Sequence, residues 1–330
     1  MSDVPIISNS ERNTFGRCPQ RWWWAYVDNL RPRAKPADAL WFGIGVHEAL
    51  ALYYDEGFNR GPLPAWTWKK WVGDEIRYIK ANYADHDREW FEQPVYEEAG
   101  ELGEAMLNGY VEEYEDDPYW EVLAIEQPFE IEIMRDGKVI AIFIGIFDGV
   151  EINHEDNLME LMEHKTAASI KTMHLPLDNQ AGSYFAVATI VLRHQGIIGR
   201  KDTIDGIRYN FLRKAMPDKR NRDSTTGAYL NKNGSVSKVQ PAKRFLREFV
   251  DRSPREVNYQ MRALADEIYI MSLVRRGKLP VTKVKNDMCP YCPFFQMCKM
   301  HERGGSAWKE YRDAMYTVSG PSPLRKSAAE

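Results

Sequence analysis

No stretch of this chain approaches the run of about 18 apolar residues that a membrane span needs. The opening MSDVPIISNS carries neither the basic block nor the apolar block of a secretory signal. Both absences lead to the expectation of a cytoplasmic protein with no membrane attachment. Cysteine is scarce: four residues in 330 cannot staple a chain of this length, and where thiols stay reduced they point to metal or catalysis before disulfides. No internal repeat is visible, which excludes solenoids and propellers. An excess of either charge is also missing, with 44 Lys and Arg against 48 Asp and Glu for a formal net charge of −4. What is present is ample for a packed core: 44% apolar residues and ten tryptophans, with a mean hydropathy of −0.53. The length suits one large domain or two.

The near-neutral total conceals an asymmetry. Residues 85–130 hold 16 Asp and Glu and one Arg, whereas residues 200–255 hold 15 Lys and Arg and six Asp and Glu. A solvated acidic face and a solvated basic loop account for this pattern, and so does a groove that holds phosphates. Charge alone leaves both open.

Along the chain, Ser8 or Ser10 caps a first helix carrying Cys18 and the Trp22-Trp23-Trp24 run. WFGIGVHEALALYYDEG has helical periodicity and a glycine stop at Gly57, and two further helices are expected at 65–83 and 95–116. The texture changes near Glu121. EVLAIEQPFEIEIM, VIAIFIGIFDGVEI and LMELMEHKT read as three consecutive strands separated by turns, the middle one apolar on both faces as a buried central strand is. LDNQAGSYFAVATIVLRHQG reads as a helix and DGIRYNFLRK as a fourth strand. The polar, basic stretch that follows is a mobile-loop candidate of about 25 residues. A long helix over 241–276 leads to a cysteine cluster. The division expected is an N-terminal helical region over 1–120, a core over 121–276, a cysteine segment over 277–316 and a disordered tail over 317–330.

Asp148 ends a strand that is otherwise apolar, a costly place for an acid without a cation or donor beside it. On the next strand, alternation places Glu163 and Lys165 on one face and His164 on the other. Two carboxylates and a lysine at strand ends suit a divalent-metal phosphodiesterase: the acids hold Mg²⁺ or Mn²⁺ through oxygen, and the lysine stabilises developing charge or positions water. A surface salt bridge accounts for the same residues taken alone. Gln180 and Tyr184 fall one helical turn apart just downstream, and His47 follows two glycines on its helix. Three further cysteines, Cys289, Cys292 and Cys298, are spaced C-x2-C-x5-C, with Cys18 as a distant fourth. Four thiolates satisfy either zinc or an iron–sulfur cluster.

The order of these features resembles a family: a cysteine near the start, G-x-x-x-H on a helix, GIFDGV, LMEHKT, Q-x-x-x-Y and C-x2-C-x5-C. It is similar to the RecB-like branch of the PD-(D/E)XK nucleases, and more narrowly to its iron–sulfur members, such as the CRISPR-associated adaptation nucleases and the nuclease domain of AddB. The resemblance implies an α/β (α+β) fold with a mixed sheet flanked by helices. It implies Asp148 and the Glu163-x-Lys165 pair as the catalytic acids and lysine, His47 as an additional ligand to Mg²⁺ or Mn²⁺, and Gln180 and Tyr184 as the helix motif that steadies the lysine and the bound strand. Cys18, Cys289, Cys292 and Cys298 become the ligands of a structural 4Fe-4S cluster that clips the chain ends across the core. One departure is that Glu stands where many relatives have Asp before the lysine. The expected activity is metal-dependent DNA hydrolysis, directed to single strands or free ends. Tyr184 and the basic side chains Arg213, Lys214, Arg220, Lys243 and Arg244 would hold the strand. Recombination, repair, phage DNA metabolism and CRISPR adaptation are all compatible, with proteins of those pathways or a second copy of the chain as further partners. The rival reading is an inactive DNA-binding adaptor that keeps the fold.

Overall fold

The apolar middle run of the sequence becomes the central strand of a mixed sheet. The computed structural model describes residues 4–33, 39–82, 93–115 and 117–320. β1 (Ile6–Ser8) is followed by α1 (Asn9–Arg17), α2 (Pro19–Trp22), β2 (Leu30–Pro32), α3 (Ala39–Tyr53), α4 (Pro64–Asn82) and α5 (Gln93–Tyr114). β3 (Trp120–Arg135) and β4 (Lys138–Asn153) then form a long antiparallel hairpin. Its turn is Asp136-Gly137 with φ of 49° and 71°, the left-handed pair that an Asp-Gly hairpin adopts. β5 (Leu158–Ala167) pairs antiparallel with β4, β6 (Gly206–Arg213) parallel with β5, and β7 (Phe245–Asp251) antiparallel with β6. β1 lies parallel to β4.

The sheet carries a core on each face, and β4 contributes to the first of them. On one face Phe143, Phe147 and Val150 pack with Trp22 and with α6 (Asn179–Gln195) and α7 (Pro254–Arg275). On the other, α3, α4 and α5 bury Leu50, Trp68, Met106, Leu107 and Tyr110 against Val122, Leu212 and Phe245. A third, smaller cluster joins Trp24 and Leu30 to Phe294 and Met297 of the C-terminal segment, where α8 (Phe295–Glu302) and α9 (Ala307–Met315) lie. The expected mixed sheet flanked by helices is thus the observed architecture. Among the described residues no helix is long and apolar enough to cross a membrane.

Four expectations are corrected. The helix expected over 241–276 begins only at Pro254, because FLREFVD pairs with β6 as β7. Ser253 caps the helix with a capping box to Glu256, and proline at its first position sets the start. The basic stretch expected to be mobile is a folded insert between β6 and β7. Arg220 forks onto Asp218 (2.6 Å at the shortest), bonds Ser237 Oγ at 3.0 Å, and flanks the Tyr229 ring together with Arg222. The N-terminal region is not only helical, since Ile6–Ser8 joins the central sheet. Finally, the tail expected to be disordered from 317 starts as β8 (Tyr316–Val318), paired with β2. Residues 321–330 of that tail lie outside the described residues.

Candidate active site

One edge of β4 is shared by two strands. β5 covers it from Gly149 to Asn153, and β1 covers it from Ile142 to Ile144. Beyond the Gly149–Met162 pair the two strands separate, since β5 continues along β6 while β4 continues along β3 and β1. Asp148 and Glu163 are the first residues past this split. Asp148 Oδ2 accepts the His164 backbone N–H at 2.8 Å, a contact across the mouth of the split. Tyr184 packs in the core against Phe129, Phe143 and Phe147, and its hydroxyl reaches the Ile146 backbone. A Cβ at Gly145 would lie 2.6 Å from the Phe129 ring and 2.7 Å from that hydroxyl, so glycine suits the position. Expected as a strand-holding residue, Tyr184 is instead buried, where it supports β4 from behind.

The remaining groups converge on the split. Lys165 Nζ donates to Glu163 Oε1 at 2.6 Å, and Gln180 Nε2, in the first turn of α6, donates to the same oxygen at 3.0 Å. His47 comes from α3 on the opposite face, with Nδ1 3.4 Å from Asp148 Oδ1. Its helix seats through Gly45, where a Cβ would lie 2.5 Å from the Trp71 ring; the close neighbour of that glycine is an aromatic side chain rather than another backbone.

Sequence reasoning missed one residue. Glu126 stands on β3 opposite Asp148, between the Ile125–Gly149 and Gln127–Phe147 pairs. It has φ of 43°, a strained conformation for a residue other than glycine inside a strand. A carboxylate oxygen of Glu126, one of Asp148 and a ring nitrogen of His47 all lie within 4.8 Å of one another, the one group of this kind among the described residues. Its signal, a lone Glu in an alternating strand, is indistinguishable in sequence from Glu130 or Glu132.

Three carboxylates here face two cations, and the charge balance shifts every group. Burial works against the charged form of His47, but Asp148, with Glu163 and Glu126 behind it, prevails and holds the imidazole at about 9. Burial and the nearby Asp148 charge push Glu126 up to about 7. Burial also raises Glu163, to about 7, against the pull of Lys165. For Asp148 the burial cost is overruled by His47 and the His164 N–H, and its pKa is lowered. A site short of positive charge, with oxygen and imidazole donors already gathered, is suited to a divalent cation.

His164, between Glu163 and Lys165, points away from them into a buried polar chain. Its Nδ1 accepts from Asn210 Nδ2 at 2.9 Å, and that amide also donates to the Tyr110 hydroxyl at 2.8 Å. Arg247, stacked between the rings of Tyr114 and Trp120, closes the chain with two bonds to Asp117 at 2.5 and 2.7 Å. Burial pushes His164 down to about 3, below its ordinary 6.5. Its contribution to stability is therefore complete above about pH 6.5 and is lost as pH falls through 6.5 toward 3. Thermal melts at pH 7.5 and 5.5 should show a larger loss for the parent than for His164→Gln; parallel losses would contradict the buried neutral imidazole.

A family model described as the PD-(D/E)XK nuclease superfamily matches residues 6–299. The chain belongs to this superfamily. A search of curated proteins finds no match. Among solved structures, a crystal structure of a candidate exonuclease from Eubacterium rectale is similar at 11% identity and a TM-score of 0.35, over 86% of this chain and 95% of that one. PD-(D/E)XK nucleases use divalent metals, and the His47, Glu126 and Asp148 group is a possible metal site of this member.

The expected strand-holding cations have varied surroundings in this PD-(D/E)XK chain. Lys214 lies 5.2 Å from the Phe42 ring centroid. Arg213 donates to the carbonyls of Ala168 and Ala242, and Arg244 to that of Ala105. Arg220 is consumed by Asp218, and Lys243 is exposed.

The four cysteines share one neighbourhood. Burial raises the Cys292 thiol, and Arg21, Cys18 and Cys289 all act on it. Burial also raises Cys298, which senses Lys283, Cys18 and Cys292. The two chain ends meet again where Gln20 N–H donates to the Thr282 carbonyl at 2.9 Å. Arg21 lies near Cys292 and Lys283 near Cys298, while Lys283 and Lys285 both pair with Glu302 at 2.6 Å.

Proposed function

We propose that the protein is a metal-dependent DNA exonuclease that hydrolyses phosphodiester bonds at single strands or free ends, with a 4Fe-4S cluster as a structural clasp. The observation that carries the reading is the convergence of Asp148, Glu163, Lys165, Gln180 and His47 at one strand split. The end-directed preference and the cluster follow from the resemblance to the iron–sulfur RecB-like nucleases.

The donor set fits a Mn²⁺ or Mg²⁺ ion. Two atoms bound to one such ion at ~2.1 Å lie at most ~4.2 Å apart. A group within 4.8 Å therefore closes with a shift well under 1 Å. His47, Asp148 and Glu163 are the proposed ligands, joined by Glu126. A cation held there would offset charge on the scissile phosphate and favour attack by water. Gln180 and Lys165 both occupy Glu163 Oε1, so among the described residues no side-chain donor holds Oε2, which is left to bind. Lys165 also presents its ammonium to the phosphate, and Gln180 keeps the carboxylate oriented when Lys165 turns toward substrate. The imidazole of His47 is a softer donor than oxygen, which favours Mn²⁺ over Mg²⁺.

The test is incubation of anaerobically purified protein with Mn²⁺ and linear or circular single strands labelled at either end. Nucleotides released from linear strands alone are expected. Cutting of circles at the same rate rejects the end-directed reading, and no cutting of any strand favours the inactive adaptor. Glu126→Gln should weaken Mn²⁺ binding about tenfold by calorimetry, and unchanged binding would remove Glu126 from the ligand set.

A further inference from the structure

Away from the metal ligands, α5, the start of β7 and the insert over 214–244 enclose a cavity of about 850 Å³. That volume falls in the range of sites that take a sizeable ligand rather than a single small ion. Five cations line it, Arg213, Arg222, Lys243, Arg244 and Arg247, together with Glu112, Glu113 and Asp218. Two of these charges are already matched: Arg247 by Asp117, and Asp218 by Arg220.

The other four cations have no carboxylate partner among the described residues. Arg213 is bonded only to backbone carbonyls, at 3.3 and 3.0 Å, and Arg222 only to the Tyr229 hydroxyl, at 2.6 Å. Arg244 donates to the Ala105 carbonyl at 2.7 Å, while its buried Nε has no acceptor. Lys243 is exposed and makes no ion pair. Glu112 and Glu113 are exposed, where solvent screens them. A desolvated guanidinium with an orphaned N–H is costly unless an acceptor arrives to meet it. The rings of Tyr114, Tyr229 and Phe245 also line the cavity, each already beside an arginine, so the cations rather than the rings face a ligand.

The cavity is also correctly placed for substrate. Lys165 pairs with Phe211 in the β5–β6 register, and Ala167 pairs with Arg213. The cavity wall therefore begins two residues, or ~7 Å, along the strand from the proposed catalytic lysine.

We infer that this cavity binds phosphates of the substrate strand beyond the cleaved bond, with Arg213, Arg222, Lys243 and Arg244 as the contacts. The inference rests on the nuclease reading. It makes the insert an anchor that holds the strand in register while the scissile bond lies at Asp148 and Glu163.

The test is fluorescence anisotropy with labelled 12-residue single strands bearing a 5′-phosphate, a 3′-phosphate or neither, in chelator so that no strand is cut. The Arg222→Glu/Lys243→Glu variant changes two exposed side chains and should melt like the parent. Its affinity should fall at least tenfold, and its dependence on salt should weaken by about 1.4 in the slope of log K against log salt. Lys278→Glu, outside the cavity lining, should alter neither. Equal loss for all three strands assigns internal phosphates, and loss confined to one phosphorylated strand assigns a terminal phosphate; both support the cavity. Parent-like affinity and slope in the double variant overturn it, and the nuclease reading survives if the parent still cuts with Mn²⁺. A parent that neither binds nor cuts any strand rejects that reading as well.

Discussion

Lys165→Ala and Asp148→Ala should each lower cleavage by about 10³-fold, the loss typical when a group that stabilises transition-state charge is removed. They should do so for different reasons. Asp148 accepts the His164 N–H at 2.8 Å and faces His47 at 3.4 Å, and it belongs to the one close donor group of imidazole and carboxylates among the described residues. Its removal should abolish Mn²⁺ binding in calorimetry along with activity. Lys165 is bound to Glu163 at 2.6 Å and competes with a cation for that carboxylate. Lys165→Ala should therefore bind Mn²⁺ as tightly as the parent or more tightly, yet cut no faster than Asp148→Ala. Parent-like cleavage by either variant would sink the assignment. Loss of metal binding in Lys165→Ala would instead make the lysine a support for Glu163.

Cys18→Ser should be the most damaging substitution for stability. Cys18 and Cys289 are 271 positions apart, and the proposed cluster, by closing so long a loop, would restrict the unfolded chain by about 6 kcal/mol in the loop-entropy account. For a chain of this size that corresponds to roughly 10 °C or more in melting temperature. The damage should spread, because Trp22, four residues on, is fully buried in the main core and its ring N–H bonds Glu11. The parent, purified without oxygen, should be brown and absorb near 400 nm, and Cys18→Ser should lose both the colour and the stability. A colourless parent containing zinc would refute the iron–sulfur assignment. A Cys18→Ser variant with full iron content and an unchanged melt would refute the clasp.

Local features were legible because they depend on a few neighbouring residues. The apolar strand over 139–147, the turn after 134 and the helix of 179–195 each depend on nearby residues, through apolar content, turn chemistry and helical periodicity. The spacing of Glu163 and Lys165 on one strand face likewise determined that they would meet. The helix expected over 241–276 failed at 245–251, where seven residues fit either state and pairing with β6 decided the matter.

The sequence by itself thus determined the superfamily motifs, the strand–helix order and which residue types were available for chemistry. Only the tertiary structure decided that Glu126 joins His47 and Asp148, that Tyr184 is a buried support, and that the basic insert folds around a cavity. These depend on where β4 and β5 separate and which strand borders each edge. Such contacts join residues tens to hundreds of positions apart, and they form only when long-range pairing and burial outweigh local preference.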